Sequence, residues 1–256
     1  MARFVDHCLK PDWPAPANVV AWSTTRLGGV SEAPFNRFNP ASHVGDEQSC
    51  VQQNRRLLSE QLQLPSEPLW LEQVHGIELL NLDEPLKNNE ADGSYSTKLN
   101  HVCLVQTADC LPVLFCDRSG RQVAAVHAGW RGLQAGILER AVSVFQAQAS
   151  DLLVWLGPAI SKQHFEVGEE LRQAFVADSS EAELAFTPAT RAGHYWADLY
   201  LLARMRLQAV GVEHIYGGNY CSFADSERFF SYRRDGRCGR MATLIYLNSF
   251  SETSPA

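Results

Sequence analysis

The chain has 256 residues, 45% of them apolar, with a formal net charge of -7 and a sequence pI near 5.6. That is enough apolar chain for a substantial core, and the acidic balance argues against nonspecific binding to nucleic acid or an anionic membrane, both of which need a basic face. The N-terminal MARFVDHCLKPDW has no apolar signal core, and no later stretch reaches the roughly 18 uninterrupted apolar residues of a membrane span, so a cytoplasmic protein is expected. Seven cysteines without a CxxC pair read as reduced thiols of a globular enzyme, not as a disulfide framework or a structural zinc ribbon.

In chain order, Val19 to Thr25 predicts a strand that delivers Arg26 into a loop with Gly28 and Gly29. A guanidinium there can clamp phosphate or carboxylate, or simply be solvated. Asp46 is placed to cap a helix running to about Leu64. Leu69 to Val74 reads as a strand ending on His75, with extended structure resuming over Ile77 to Leu82, and residues 83–100 read as a polar surface loop.

Val102 to Gly132 is the most informative stretch: two strands, a tight turn and the start of a helix. With Arg118 and Ser119 as a two-residue hairpin loop, Phe115 pairs with Gln122, Val113 with Ala124 and Cys110 with His127. Cross-strand partners have Cβ atoms about 4.5 to 5.5 Å apart on one face, from where a thiol and an imidazole can share a metal ion or exchange a proton. Asp109 adjoins the cysteine.

Trp130 to Gln148 predicts one helix, whose first turn beside Gly129, Arg131 and Gly132 suits an anion. Further on come a strand over Leu152 to Leu156, helices over Glu166 to Ala177 and Asp198 to Val210, and strands over Ile215 to Cys221 and Met241 to Leu247. His164 and Glu166 are secondary site candidates. Arginines 228, 233, 234, 237 and 240, clustered in an acidic protein, suggest an anion site. Residues 1–12 and 249–256 read as flexible ends. The elements mix without strict alternation, which fits an α+β domain over residues 1–256 better than a doubly wound sheet. A Walker loop, GxGxxG and GxSxG are absent.

His75, Cys110 and His127 offer two nitrogens and one sulfur without a fourth protein ligand. That set matches a catalytic zinc site, in which water or substrate takes the open position and the pKa of the bound water falls towards about 7. Copper accepts the same donors. A metal-free scheme, with Cys110 as thiolate nucleophile and His127 as its base, leaves His75 without a duty.

The motifs STTRLGGVS (23–31), HVGDE (43–47), QVHG (73–76), ADG (91–93), TADCLPVLF (107–115), AAVHAGWRG (124–132), GPAI and FEVG around 157–168, and FFSYRRDGRCGR (229–240) span nearly the whole chain. Through them the chain resembles the YfiH-like family, also called multicopper polyphenol oxidoreductase (laccase) or peptidoglycan editing factor and described as purine nucleoside phosphorylases. The resemblance implies a four-layer α/β/β/α sandwich with mixed sheets, shared with certain toxin cysteine hydrolases. It implies a catalytic zinc on His75, Cys110 and His127. It also implies phosphorolysis of adenosine, inosine, guanosine and methylthioadenosine, with deamination of adenosine.

Combined with the residues, the resemblance puts forward Asp109 as a proton shuttle and Arg26 and Arg233, with Arg240 behind them, as phosphate ligands. The expected partners are small molecules, purine nucleosides and phosphate, acting on a monomer or homodimer. Eight histidines without an HxH pair do not provide for four coppers, which discounts the oxidase name. The alternative is a cysteine hydrolase editing peptidoglycan precursors.

Overall fold

A computed structural model describes residues 3–249. The strands are β1 (Val19–Ser23), β2 (Leu80–Asn81), β3 (Gly93–Ser96), β4 (Cys103–Thr107), β5 (Leu111–Asp117), β6 (Val123–Ala128), β7 (Leu152–Leu156), β8 (Glu166–Gly168), β9 (Phe186–Pro188), β10 (His194–Ala197), β11 (His214–Gly217) and β12 (Met241–Leu247). The α-helices are α1 (Gln48–Gln61), α2 (Trp130–Ala135), α3 (Ile137–Ser143), α4 (Glu169–Asp178), α5 (Leu199–Ala209) and α6 (Tyr232–Asp235). A mixed six-stranded sheet runs β11-β7-β5-β6-β3-β2, and two antiparallel three-stranded sheets run β1-β12-β4 and β8-β10-β9. The architecture is α+β, as the sequence implied. None of the described helices is long and apolar enough to cross a membrane.

The continuous apolar runs of β5, β6 and β7 are buried along their whole length because both faces of the large sheet are covered. On one face Val113, Phe115, Ala124, Val126 and Val154 pack with Leu133, Leu138 and Leu202 of the helices. On the other, Leu114, Cys116, Ala125 and Trp155 meet Val105 and Ile245 of the β1-β12-β4 sheet. The outer face of that small sheet presents Leu104, Leu244 and Tyr246 to Leu58 of α1 and to Leu62. Burying each such side chain contributes about 1.5 to 3 kcal/mol.

Several expectations are corrected. The hairpin register differs by two residues: Phe115 pairs with Ala124, Val113 with Val126 and Pro112 with His127. The cause is the Asp117 carboxylate, which accepts from the backbone of Ser119, Arg121 and Gln122 at 3.2, 2.8 and 2.7 Å and so nucleates a longer loop. An even shift keeps each residue on its own face. Residues 93–96 are not surface loop but the buried strand β3 between β6 and β2. Residues 69–74 form no strand, only an isolated bridge at Glu72. The helix expected over 130–148 is split into α2 and α3 by Gly136, whose φ of 98° ends the first helix in the left-handed region.

Asp46 does not cap α1. Its carboxylate instead accepts from Glu47 N, Ser31 Oγ and Asn39 Nδ2, tying two loops together. The N-terminal segment, expected to be flexible, is packed from Phe4 on. Phe4 is buried against Phe38 with ring centroids 4.6 Å apart, and Leu9 exchanges backbone hydrogen bonds with Ser23. The remaining flexible-end expectations, at 1–2 and 250–256, lie outside the described residues. Phe4→Ala is accordingly expected to cost about 3 kcal/mol, read as a lowered midpoint of urea unfolding; an unchanged midpoint would show that the segment does not belong to the core.

Candidate metal centre

The centre is built around the carboxylate of Asp92, which is fully buried. Asp92 lies just before β3, and its backbone carbonyl accepts from His127 N at 2.7 Å near the end of β6. Its Oδ1 accepts from His127 Nδ1 at 2.7 Å and from His75 N at 2.9 Å. Its Oδ2 accepts from Gly76 N at 2.6 Å and Val74 N at 3.2 Å. Three successive backbone N–H groups thus close round one anion, which requires His75 to adopt φ 62°, in the left-handed region. A single carboxylate fixes both histidines: His75 through its backbone, His127 through its ring. Donation from Nδ1 leaves Nε2 of His127 free to take a metal ion.

Cys110 completes the set at the start of β5. Its Sγ lies 3.9 Å from His75 Nε2, the His75 and His127 rings stand edge to face at 4.9 Å, and the three ligand atoms all lie within 4.8 Å of one another. Zn–S of about 2.3 Å and Zn–N of about 2.0 to 2.1 Å put tetrahedral donors about 3.3 to 3.6 Å apart, so a small closure of the three side chains holds an ion. Donor type, spacing and the oriented His127 therefore fit zinc.

The electrostatics agree. Burial pushes the Cys110 thiol up, but the charge of His127 and hydrogen bonds from both histidines outweigh it and bring it down to about 6. Burial pulls His127 down, while Cys110 and Asp92 together lift it to about 9. By contrast, burial pushes the Cys103 thiol up to about 12. The thiolate that a metal needs is available at Cys110.

Two contacts set the approach of neighbouring elements. Gln73, two residues before His75, donates from Nε2 to Gln106 O and accepts at Oε1 from Gln106 N, both at 2.8 Å, and so docks the His75 loop on the free edge of β4. Gly129 lies where a Cβ would come 2.8 Å from His75 Cδ2 and 3.2 Å from Cys110 Sγ, so the space beside the ligands exists because residue 129 has no side chain.

The ligands open into a cleft of about 390 Å³ lined also by His43, Gln106, Thr107, Tyr232 and Arg240. Of the arginines expected at phosphate, only Arg240 lines it. Arg240 Nη1 donates to Cys238 O and Gly239 O, each at 3.0 Å, and Nε and Nη2 have no partner among the described residues. Arg26 is engaged elsewhere, donating to Asn36 O and Ser226 O at 3.0 and 3.1 Å and lying over the Phe230 ring. Arg233 donates from Nη1 to Glu166 O at 2.8 Å.

Asp109 is adjacent but committed. With φ 86°, it accepts from Ser222 Oγ at 2.6 Å and from Arg233 N at 2.7 Å, pinning the arginine loop against the residue before Cys110. Among the described residues, no carboxylate lines the cleft. Residue reading alone did not single out Asp92, Gln73 or His43, and named Gly129 only at a helix start suited to an anion, although each lies in or beside one of the quoted motifs. His164 stacks on Phe223 and Glu166 lies in β8; neither lines the cleft.

An α+β protein with a three-ligand His-Cys-His centre at the end of its central hairpin is the class that fold and site define. The family model described as multi-copper polyphenol oxidoreductase laccase matches residues 20–248. The chain is 53% identical over 239 residues to a purine nucleoside phosphorylase of Pseudomonas aeruginosa, and 52% identical over 240 residues to the purine nucleoside phosphorylase YfiH of Escherichia coli. Each match covers 93% of this chain and 98% of the relative. A crystal structure of a Neisseria meningitidis protein superposes with a TM-score of 0.89 at 44% identity, covering 95% of this chain and 100% of that one. The chain belongs to the multi-copper polyphenol oxidoreductase laccase family, the YfiH-like family to which its motifs pointed. Among the described residues, the cluster that can share an ion is the one of His75, Cys110 and His127.

Asp92→Asn keeps the shape but replaces one acceptor by a donor facing N–H groups, and is expected to weaken zinc binding about 10- to 100-fold in a chelator-competition titration. Gly129→Ala suits the local backbone, φ -65°, so it is expected to cost about 1 kcal/mol or less in unfolding while sharply reducing the zinc retained after dialysis. Full zinc occupancy in Gly129→Ala would contradict the assigned geometry.

Proposed function

We propose that the chain is a metal-dependent purine nucleoside phosphorylase acting at the His75, Cys110 and His127 centre. The observation that carries this reading is a three-ligand N, N, S site opening into a cleft with a cationic wall, in a chain about half identical to relatives named purine nucleoside phosphorylase. Zinc is the metal we assign. When bound, it supplies Lewis acidity and lowers the pKa of a bound water.

The remaining work falls to the protein. The unpartnered nitrogens of Arg240 suit a phosphate oxygen pair. Desolvation first, then the charges of Arg240 and Arg55, hold His43 below the usual imidazole value, so it is neutral at pH 7 and can accept a proton from phosphate as the anion binds. Phosphate attacks ribose C1′ as the C1′–N9 bond breaks; the purine leaves with that electron pair, takes up the proton that phosphate gave to His43, and is released with ribose 1-phosphate. Asp109, Arg26 and Arg233 serve as positioning residues that hold the loop carrying Arg240. The substrates are adenosine, inosine, guanosine and methylthioadenosine.

Adenosine deamination at the same centre is a second reading, favoured by a His and Cys donor set like that of zinc deaminases. Those enzymes add a glutamate as acid and base, and the cleft has no carboxylate, so phosphorolysis leads. The test is product analysis by mass spectrometry of zinc-loaded protein with adenosine, with and without phosphate, beside His75→Ala. Adenine and ribose 1-phosphate are expected only when phosphate is present and are lost in the variant. Inosine formed without phosphate would support deamination. No product in any arm would overturn the nucleoside reading and favour Cys110 as a hydrolase nucleophile.

A further inference from the structure

Among the described residues, two cleft-lining residues each carry a buried side-chain oxygen with no hydrogen-bond partner, Gln106 Oε1 and Thr107 Oγ1. The residues are 4% and 2% exposed. A buried polar group left unpaired is destabilising, and native structures keep few of them. Gln122 is the informative contrast. It is buried to a similar degree, at 5% exposure, yet both ends of its carboxamide are engaged, Nε2 with Val144 O at 2.8 Å and Oε1 with Gln146 N at 3.1 Å. In Gln106 neither end is engaged among the described residues. Its backbone, meanwhile, is held on one side by Ala242 of β12 and on the other by the Gln73 clasp. The residue is fixed and its carboxamide is unoccupied.

An acceptor of this kind does not suit phosphate, whose oxygens are themselves acceptors. It suits a ligand edge that carries a donor next to an acceptor. Adenosine presents N6–H beside N1; inosine presents O6 beside N1–H, the mirror pattern. One carboxamide meets either by turning over about its last torsion, which is broad and roughly two-fold.

Resting on the phosphorylase reading, we propose that Gln106 is the specificity element that reads the Watson–Crick edge of the purine, and that its reversible carboxamide makes the enzyme accept 6-amino and 6-oxo nucleosides alike. The cleft is thereby divided: Arg240 and His43 face the anion, Gln106 the base.

The experiment compares zinc-loaded wild type, Gln106→Met and Gln106→Glu, with zinc content checked, for kcat/KM on adenosine, inosine and guanosine and for Kd of each by calorimetry. Wild type is expected to treat adenosine and inosine within about tenfold of one another. Gln106→Met keeps the length and removes both hydrogen-bonding ends, and is expected to weaken all three about tenfold or more, chiefly in KM and Kd. Gln106→Glu offers two acceptors, which match the adjacent N1–H and N2–H donors of guanosine, and is expected to raise the guanosine to adenosine ratio about tenfold or more. Unchanged KM and Kd in Gln106→Met, or an unchanged ratio in Gln106→Glu, would overturn the proposal. Wild type that binds the nucleosides without phosphorolysing them would overturn the phosphorylase reading alone, the Kd shifts still deciding the role of Gln106. Wild type that binds none of them would overturn both.

Discussion

A buried carboxylate is the constraint on which the site depends. Taking an ion out of water costs several kcal/mol unless its lone pairs are satisfied, and Asp92 meets that demand with three backbone N–H groups of residues 74–76 and the ring of His127. Those donors can converge only if the chain turns sharply at His75, so the φ of 62° there follows from the anion it surrounds. The same bonds aim two imidazoles at one point. Cys110, placed by the central hairpin, supplies the third donor. The thiolate character of Cys110 and the orientation of the two imidazoles therefore share one origin, a charge that the fold buries and then pairs.

Close backbone approach does the rest. Gly132 lets the start of α2 sit against the His75 loop, since a Cβ there would come 2.7 Å from Gly76 O, and Gly129 leaves room beside the ligands. The Gln73 clasp joins that loop to β4, one residue before Thr107 and four before Cys110, so both walls of the cleft are referenced to the same strand. On the opposite wall, Asp109 ties the segment bearing Cys110 to the arginine loop through Arg233 N. The centre thus rests on residues outside the His75, Cys110 and His127 set.

The sequence made the long apolar elements legible, because period and length alone identify strands buried on both faces: β7 and β12 fall where expected, and β5 and β6 close to it. It brought Cys110 and His127 together through a register wrong by two residues, and the error was harmless because an even shift leaves every side chain on its face. What it could not show was structure held by single polar contacts. The 69–76 segment owes its shape to Asp92 and Gln73, and neither leaves a periodic signal. β3 was hidden because Gly93, Ser94 and Ser96 are small and polar yet buried at close strand contacts. Arginine clustering suggested an anion site but could not show which arginine faces the cleft; Arg26 and Arg233 are drawn off by backbone carbonyls, and Arg240 lines it.

The most direct measurement of the central claim is X-ray absorption at the zinc edge on zinc-loaded protein. A centre of His75, Cys110 and His127 gives a shell with one sulfur at about 2.3 Å and nitrogen or oxygen donors at about 2.0 to 2.1 Å, including two imidazoles and one position open to solvent or substrate. A shell without sulfur, or with two sulfurs, would contradict a centre formed by His75, Cys110 and His127.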